Sequence, residues 1–357
     1  MRTLTSILFV LLAGCSGGVA LTDATAPVSP GPNGGRSGPD PRDGGPATAD
    51  AGTLPGQPDA GSDAGTVPPG DPPPPPPAPP PLAPIFPADS PWNTRIDDAP
   101  VDPNSDAYIA SMGANGKLVA SWDEAGDGLP YVEVPGDQKK VAVSFWGFPD
   151  ESDPGPYPIP WSAPVQIGSD GHVLVVDRDN GWLYELFKAS RNADGSWQAS
   201  NGAKWNLRTG AQRPLRWTSA DAAGMPVFPG LVRYDEVSSG WISHALRFAV
   251  NWSQRGFVSP ARHAAGTCAL GSNCPPMGLR VRLKKSVDIS GFSWRMRVIL
   301  LALQQYGMFV ADNTGTNDSW WLAGAPEGGW SDEELLTLGA IRGSDFEVVA
   351  HGDLQPQ

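Results

Sequence analysis

The sequence has only three cysteines and four histidines in 357 residues. Past residue 84 it has no Gly-x-Ser-x-Gly turn, and nowhere a glycine-rich phosphate loop or a His-Glu-x-x-His pair. Serine-hydrolase, nucleotide-dependent and zinc-protease chemistry therefore find no support in it. It lacks a long apolar run: Ile7 to Leu12 is far short of the ~20 residues that span a bilayer. Positive charge is scarce, with 25 Lys and Arg against 38 Asp and Glu. A net charge of -13 makes a poor partner for nucleic acid, whose binding rests on neutralising phosphates.

Aromatic residues are missing from Ser16 to Pro84. That stretch is mostly Gly, Pro, Ala, Asp, Ser and Thr, and ends in the proline-rich run Pro72 to Pro81. It cannot bury enough apolar surface to offset the entropy of ordering, so a disordered tether is expected over 15–84. Its reach lies between ~45 Å for a flexible coil and ~200 Å for extended polyproline. All 14 tryptophans and all six tyrosines follow it. The expected globular domain is therefore 85–357, with nothing linker-like inside it.

Ahead of the tether stand Arg2, the apolar core Ile7–Leu12, and the small residues Ala13 and Gly14 before Cys15. A basic start, a short apolar core and a small-residue cut site read as a secretory signal over 1–14. The run Leu12-Ala13-Gly14-Cys15 resembles the lipobox of bacterial lipoproteins. That resemblance implies lipidation of Cys15 and a lipid bilayer as partner. Ser16, being other than Asp, implies the outer membrane of the cell envelope. Export also bears on the remaining cysteines. Cys268 and Cys274 enclose five residues and suit a small disulfide loop in an oxidising compartment.

Within the domain the patterns are mostly of short strands. Tyr131–Val134, Lys140–Phe145, Ile242–Val250, Leu279–Leu283, Met308–Ala311, Trp320–Ala323 and Phe346–Val349 read as strands. His172–Asp177 and Trp182–Ala189 flank Asn180-Gly181, the strongest hairpin signal. A two-residue turn there predicts Asp177 opposite Tyr184 and Val176 opposite Glu185. One face then carries Leu174, Val176, Leu183 and Glu185; the other carries Val173, Val175, Asp177, Tyr184 and Leu186. Both are largely apolar, which predicts a hairpin covered on both sides. Helices are expected at 105–112, 219–224, 231–237, 293–306 and 331–338. In the fourth, Val298, Leu301, Ala302 and Gln305 recur at helical spacing; in the last, Ser331 and Glu334 form a capping box. The expected class is mainly β with peripheral helices (α+β), a β-sandwich-like or curved-sheet single domain.

Functional residue types are densest from Trp217 to Arg247. Asp221 with Asp235 or Glu236 could supply the two carboxylates of a glycoside hydrolase. A lyase would need a base such as His244 or Tyr234 and a cation such as Arg247 against a sugar carboxylate. His244 and Arg247 fall on opposite faces of their strand, so one cleft would use only one of them. Solvated helix charges are the competing reading for Asp235-Glu236. His172, Glu185, Arg233, His263, Trp217, Trp241 and the strand-end pair Asp312-Asn313 are candidate binding residues. His172, His244 and His263 could converge on a metal, but local structural roles are the commoner outcome, so no metal site and no cofactor are assigned. The tryptophan load suits sugar stacking; Trp161, Trp197 and Trp330 stand in polar surroundings.

The segments His172-Val-Leu-Val-Val-Asp-Arg-Asp-Asn180, Trp217-Thr-Ser-Ala-Asp-Ala-Ala-Gly224, Pro229-Gly-Leu-Val-Arg-Tyr-Asp-Glu-Val237, His244-Ala-Leu-Arg-Phe248 and Pro260-Ala-Arg-His263 resemble a group of secreted proteins of soil bacteria. The resemblance implies no activity. Gly181 stands where that group leads one to expect cysteine. The leading expectation is a surface lipoprotein that binds and cleaves a polysaccharide, by hydrolase or lyase chemistry. A non-catalytic carbohydrate-binding or adhesion module is the alternative, and a structural envelope protein the third.

Overall fold

The computed structural model describes residues 85–315 and 318–357; the signal segment, Cys15 and the tether lie outside the described residues. Helix α1 (Ser105–Met112) leads into strands β1 (Leu118–Ala120), β2 (Tyr131–Glu133) and β3 (Val143–Phe145). Next come β4 (Val173–Asp177), β5 (Trp182–Phe187), β6 (Ser190–Arg191), β7 (Trp197–Ala199) and β8 (Asn201–Asn206). After a long irregular stretch follow α2 (Tyr234–Ser239), β9 (Leu246–Val250), β10 (Gly256–Phe257) and β11 (Arg280–Leu283). The chain closes with α3 (Trp294–Gln305), β12 (Met308–Asn313), β13 (Trp320–Leu322), α4 (Asp332–Thr337), β14 (Phe346–Val348) and β15 (Gln355–Pro356).

The fold is mainly β, with a curled half-barrel sheet and few helices. A six-stranded mixed sheet runs β1-β13-β9-β12-β11-β14. A four-stranded sheet runs β2-β4-β5-β8 and a three-stranded one β3-β7-β6, while β10 pairs with β15. The four-stranded sheet is apolar on both faces because it is covered on both. Leu174, Val176, Leu183, Ala203 and Trp205 join the main core with the six-stranded sheet and the helices. Val173, Val175, Tyr184 and Leu186 join a second core with Tyr157, Trp197 and Ala199. Alternation along β-branched strands thus becomes a middle layer.

The hairpin forms with a different register. Asp177 pairs with Trp182, Val175 with Tyr184 and Leu174 with Glu185. Four residues, 178–181, form the loop, closed by the Gly181 N–H to the Asp177 carbonyl (2.9 Å) and by Asp177 Oδ1, which accepts from the Asn180 N–H (3.0 Å). The aspartate side chain supplies turn chemistry that a two-residue loop would not need. The offset is two residues, so every side chain keeps its face.

Other local expectations shift for identifiable reasons. Residues 219–224 form turns and no helix: Ser219 Oγ donates to the Met225 carbonyl (2.6 Å) and accepts from the Asp221 N–H (3.0 Å). Such side-chain bonds compete with the helical ladder. Helix α2 begins at Tyr234, because Val232 pairs with the chain at 323–325. Helix α3 has its Ser293 cap; Val298 and Ala302 of the expected stripe are buried, together with Met296, Ile299, Leu300 and Leu303, whereas Leu301 is exposed. Gly307 ends it at φ 65°, where a Cβ would lie 2.2 Å from the Val281 carbonyl oxygen. Ser331 caps α4 by accepting from the Glu334 N–H. Strands β1, β6, β7, β8, β10 and β15 had no sequence expectation. Trp197 and Trp330 are core residues, while Trp161 is exposed. Among the described residues no helix is long and apolar enough to cross a membrane.

Cys268 and Cys274 form the disulfide. Buried Gln254 ties its loop down, donating to the Cys274 carbonyl (2.8 Å) and accepting from the Gly271 N–H (2.7 Å). Closing so short a loop stabilises the fold by roughly 2–3 kcal/mol. Cys268→Ala with Cys274→Ala should therefore lower stability in a denaturant titration by about that amount or less. An unchanged midpoint would show that Gln254 alone holds the loop.

Candidate functional site

The six-stranded sheet contains one parallel central pair, β9 and β12, and functional polar residues gather where both strands end. Arg247 lies opposite Phe309, and Phe248 opposite Val310. A bulge then interrupts the ladder, so that Ala249 faces Asp312 rather than Ala311. Uninterrupted alternation would put Asp312 opposite Val250, whose side chain is in the main core. The bulge instead turns Asp312 onto the face of Arg247. Inserting one residue re-aims every side chain beyond it.

Arg247 is buried and donates through Nε (3.2 Å) and Nη2 (2.8 Å) to Asp221 Oδ2. The other Asp221 oxygen accepts from the Ala223 N–H (2.7 Å). The loop that carries Asp221 is pinned at three carbonyls. His172 Nε2–H donates to the Ala220 carbonyl (2.8 Å), His263 Nδ1–H to that of Ala222 (2.8 Å), and the Asn201 amide to that of Ser219 (2.5 Å). Both histidines thus orient the loop. Burial holds His172 down at about 4 and lowers His263, so both rings are neutral at pH 7.

Asp312 is half-buried beside this ion pair. Burial pushes its carboxyl up to about 7; Arg247 pulls it down, while the charges of Asp221 and Asp170 add to the rise. Asp170, also half-buried, is raised by burial against the pull of Lys188. Both carboxyl groups are therefore half-buried, and Asp312 feels the charges of Arg247, Asp221 and Asp170. Asp170 was absent from the sequence expectations. Its only local signal is Asp170-Gly171, which reads as turn chemistry before β4. At the same strand ends the Gly315 N–H donates to the Asn251 carbonyl (3.0 Å), and the edge of the half-exposed Trp252 ring would lie 3.8 Å from a Cβ placed on Gly315.

The other expected site residues fall into separate networks. Buried Glu236 bonds Arg233 through Oε1, and its Oε2 lies 3.0 Å from His244 Nε2. His244 Nδ1–H donates to the Ala245 carbonyl (2.8 Å), so both ring nitrogens are engaged. Burial works to raise Glu236, but Arg233 and His244 outweigh it and hold the carboxyl below its ordinary range. Asp235 is exposed and accepts the Glu236 N–H (2.7 Å). Asp221 and Glu236 therefore each have their own cationic partner, and Arg247 and His244 serve different networks. Tyr234 packs on Trp330 at 5.1 Å, and its backbone N–H donates to Glu327, which also accepts from the Tyr131 hydroxyl. Burial raises Glu327.

Glu185 is fully buried and turned entirely toward the protein. It accepts from the N–H groups of Val227 (2.9 Å) and Phe228 (2.8 Å) and from the Trp205 indole (2.9 Å). Burial pushes it up to about 7 against those donors. Trp217 is half-buried, with the Arg213 guanidinium 5.5 Å from its ring centre. Trp241 is exposed beyond the end of α2, and the half-buried Asn313 points its amide toward the Ala265 carbonyl (3.5 Å). Among the described residues no group of three or more His, Cys, Asp or Glu is arranged to hold a metal ion.

No protein-family model, no curated protein and no solved structure matches the chain. The site therefore has to be read from its own chemistry.

Proposed function

We propose that this domain cleaves a glycan by acid–base chemistry at the ends of β9 and β12. The observation that carries the reading is the bulge, which sets Asp312 beside the Arg247–Asp221 pair and within the field of Asp170. Asp312 is the proton donor to the leaving-group oxygen. Its carboxyl keeps its proton near neutral pH, as a general acid must. Asp170 is the second carboxylate, acting on water or on the anomeric carbon. The negative charge of Asp170 favours the oxocarbenium-like transition state. The loop held by His172 and His263 keeps Arg247 and Asp221 rigid behind the acid. Trp252 offers an exposed ring for a sugar face at the same strand ends.

A panel of polysaccharides incubated with the mature chain tests the reading. New reducing ends should appear with one of them and disappear in Asp312→Asn. A second reading, a non-catalytic binding module, is favoured by Trp146 and Trp161, both 60% exposed and away from the strand ends. Glycan binding with no turnover in the unmodified protein would select it.

In both readings the chain is held at the outer membrane by lipid on Cys15. Cys15→Ala should move the protein from the membrane fraction to the soluble fraction and abolish acyl mass on the mature N-terminus. Membrane fractionation that does not change would count against the anchor.

A further inference from the structure

We propose that the strand-end site takes an extended oligo- or polysaccharide rather than a short glycoside, with Ala249 and Trp321 forming a track for sugar rings that leads away from Asp312. The inference rests on the glycan reading above and narrows its substrate class.

The track follows from strand register. Asp312 on β12 pairs with Ala249 on β9, Ala249 with Trp321 on β13, and Trp321 with Val119 on β1. Residues directly opposite each other point to the same face of a sheet. The four side chains therefore stand in one row across four adjacent strands, with neighbours ~4.8 Å apart and ~14 Å from end to end. Phe248, Val250, Trp320, Leu322 and Leu118 alternate with them, point to the opposite face and are buried in the main core.

Burial shows where this face opens. Ala249 lies on a strand paired on both sides, yet it is only half-buried, as are Asp312, Trp321 and Val119. One step further along the same face the sheet is closed: Arg247 is 7% and Ala323 5% exposed. A Cβ on Gly230 would lie 3.0 Å from that of Arg247, and the Val232 N–H donates to the Ala323 carbonyl (3.0 Å). The segment 230–232 thus walls the row on that side. On the other side Asn251 and Ser319 are half-buried, and Trp252 and Asp318 are exposed.

The chemistry of the row suits a chain of sugars. From Ala249 to Val119 it is apolar, and the Trp321 indole is its largest surface. Pyranose rings lay their C–H faces on such rings. The small Ala249 side chain keeps the floor low between the indole and the acid. Asp312 and Trp321 are two strand spacings apart, ~10 Å, so successive rings of one chain meet them. Contacts remote from the reacting bond help hold that bond in place, and substrates too short to make them turn over more slowly. Trp321 is a positioning residue in this scheme.

The test is kcat/KM of the mature chain on xylo-, manno-, cello- and malto-oligosaccharides of two to six units. In at least one series it should rise about tenfold or more with length. Trp321→Ala should lower kcat/KM on the six-unit member by about tenfold, the scale of one stacking contact, and flatten the profile. Trp321→Phe keeps a ring and should recover most of the rise. Ala249→Val raises the floor with a side chain that strands accept, and should flatten the profile with Trp321 in place. Circular dichroism on each variant separates lost binding from lost folding. A parent profile that is level from two to six units overturns the inference and leaves the glycan reading standing. A rise that the folded variants at 249 and 321 retain overturns the track. Cleavage of none of the four series, nor of any polysaccharide in the panel, removes the glycan reading and the inference with it.

Discussion

Asp312→Asn is expected to cut glycan turnover by at least ~100-fold, the usual scale of a general acid, while the domain stays folded. The asparagine keeps the shape and loses the proton. The pH profile gives an independent check. Turnover should fall as pH rises through about 7, where Asp312 loses its proton, and fall again in acid, where Asp170 gains one. The stability of the variant carries the opposite sign from its activity. In the folded protein Asp312 holds its proton up to about 7; in the unfolded chain an aspartate loses it near 3.9. Between those values the native state binds more protons, so native stability falls as pH rises from 4 to 7 and stays reduced above that. Asp312→Asn removes this cost. The variant should match the parent in stability near pH 4 and exceed it at pH 8, by on the order of 1–2 kcal/mol. A variant that keeps full turnover, or one less stable than the parent at pH 8, would contradict the assignment of the acid.

Glu185→Ala should be strongly destabilising. Among the described residues the carboxylate is the sole acceptor for the Val227 and Phe228 N–H groups and for the Trp205 indole. Removing it strands three buried donors between the four-stranded sheet and the segment that leads into β9. Each stranded donor costs ~1–3 kcal/mol, so a loss of roughly 4 kcal/mol or more is expected. In a domain of this size that corresponds to a drop in Tm of the order of 10 °C. Glu185→Gln should cost less, since one oxygen still accepts while the amide N–H₂ meets a donor. The ordering Ala below Gln below parent is the diagnostic, and differential scanning calorimetry reads it. A Glu185→Ala protein melting within two or three degrees of the parent would show that water replaces the carboxylate.

These two acids show how differently sequence and structure speak. Glu185 stood on an apolar strand, and from alternation it could be placed on a face but not given a partner. Two of its three partners, Val227 and Phe228, are more than forty residues away. Asp312 was visible as half of a polar pair at a strand end. The bulge decided which way it points, and a bulge is a pairing event between two strands, without a signature in either one. Asp170 carried no sequence expectation. It becomes a candidate second carboxylate only because the chain returns 142 residues later with Asp312. Asp221, Glu236, His244 and Arg247 were prominent as chemistry-bearing residues. Their mutual pairing, Asp221 with Arg247 and Glu236 with Arg233 and His244, depends on loops at 219–224 and 231–233. Side-chain and cross-chain hydrogen bonds override helix propensity in both.

What the sequence by itself determined is the content of short range. The mainly β class, the positions of most strands, the α1, α3 and α4 boundaries, the Ser293 and Ser331 caps and the two apolar faces of the β4–β5 hairpin all follow from local patterns. Those faces survived a two-residue error in register because side-chain direction repeats every two residues. The Cys268–Cys274 loop was equally legible, being closed by neighbours in the chain. The tertiary structure alone decided the strand order, the bulge at Asp312 and which acids are locked in ion pairs and which remain partly open. The physical reason is that a strand's pattern encodes which side is buried, whereas partner choice and register are settled by contacts between segments far apart in the chain.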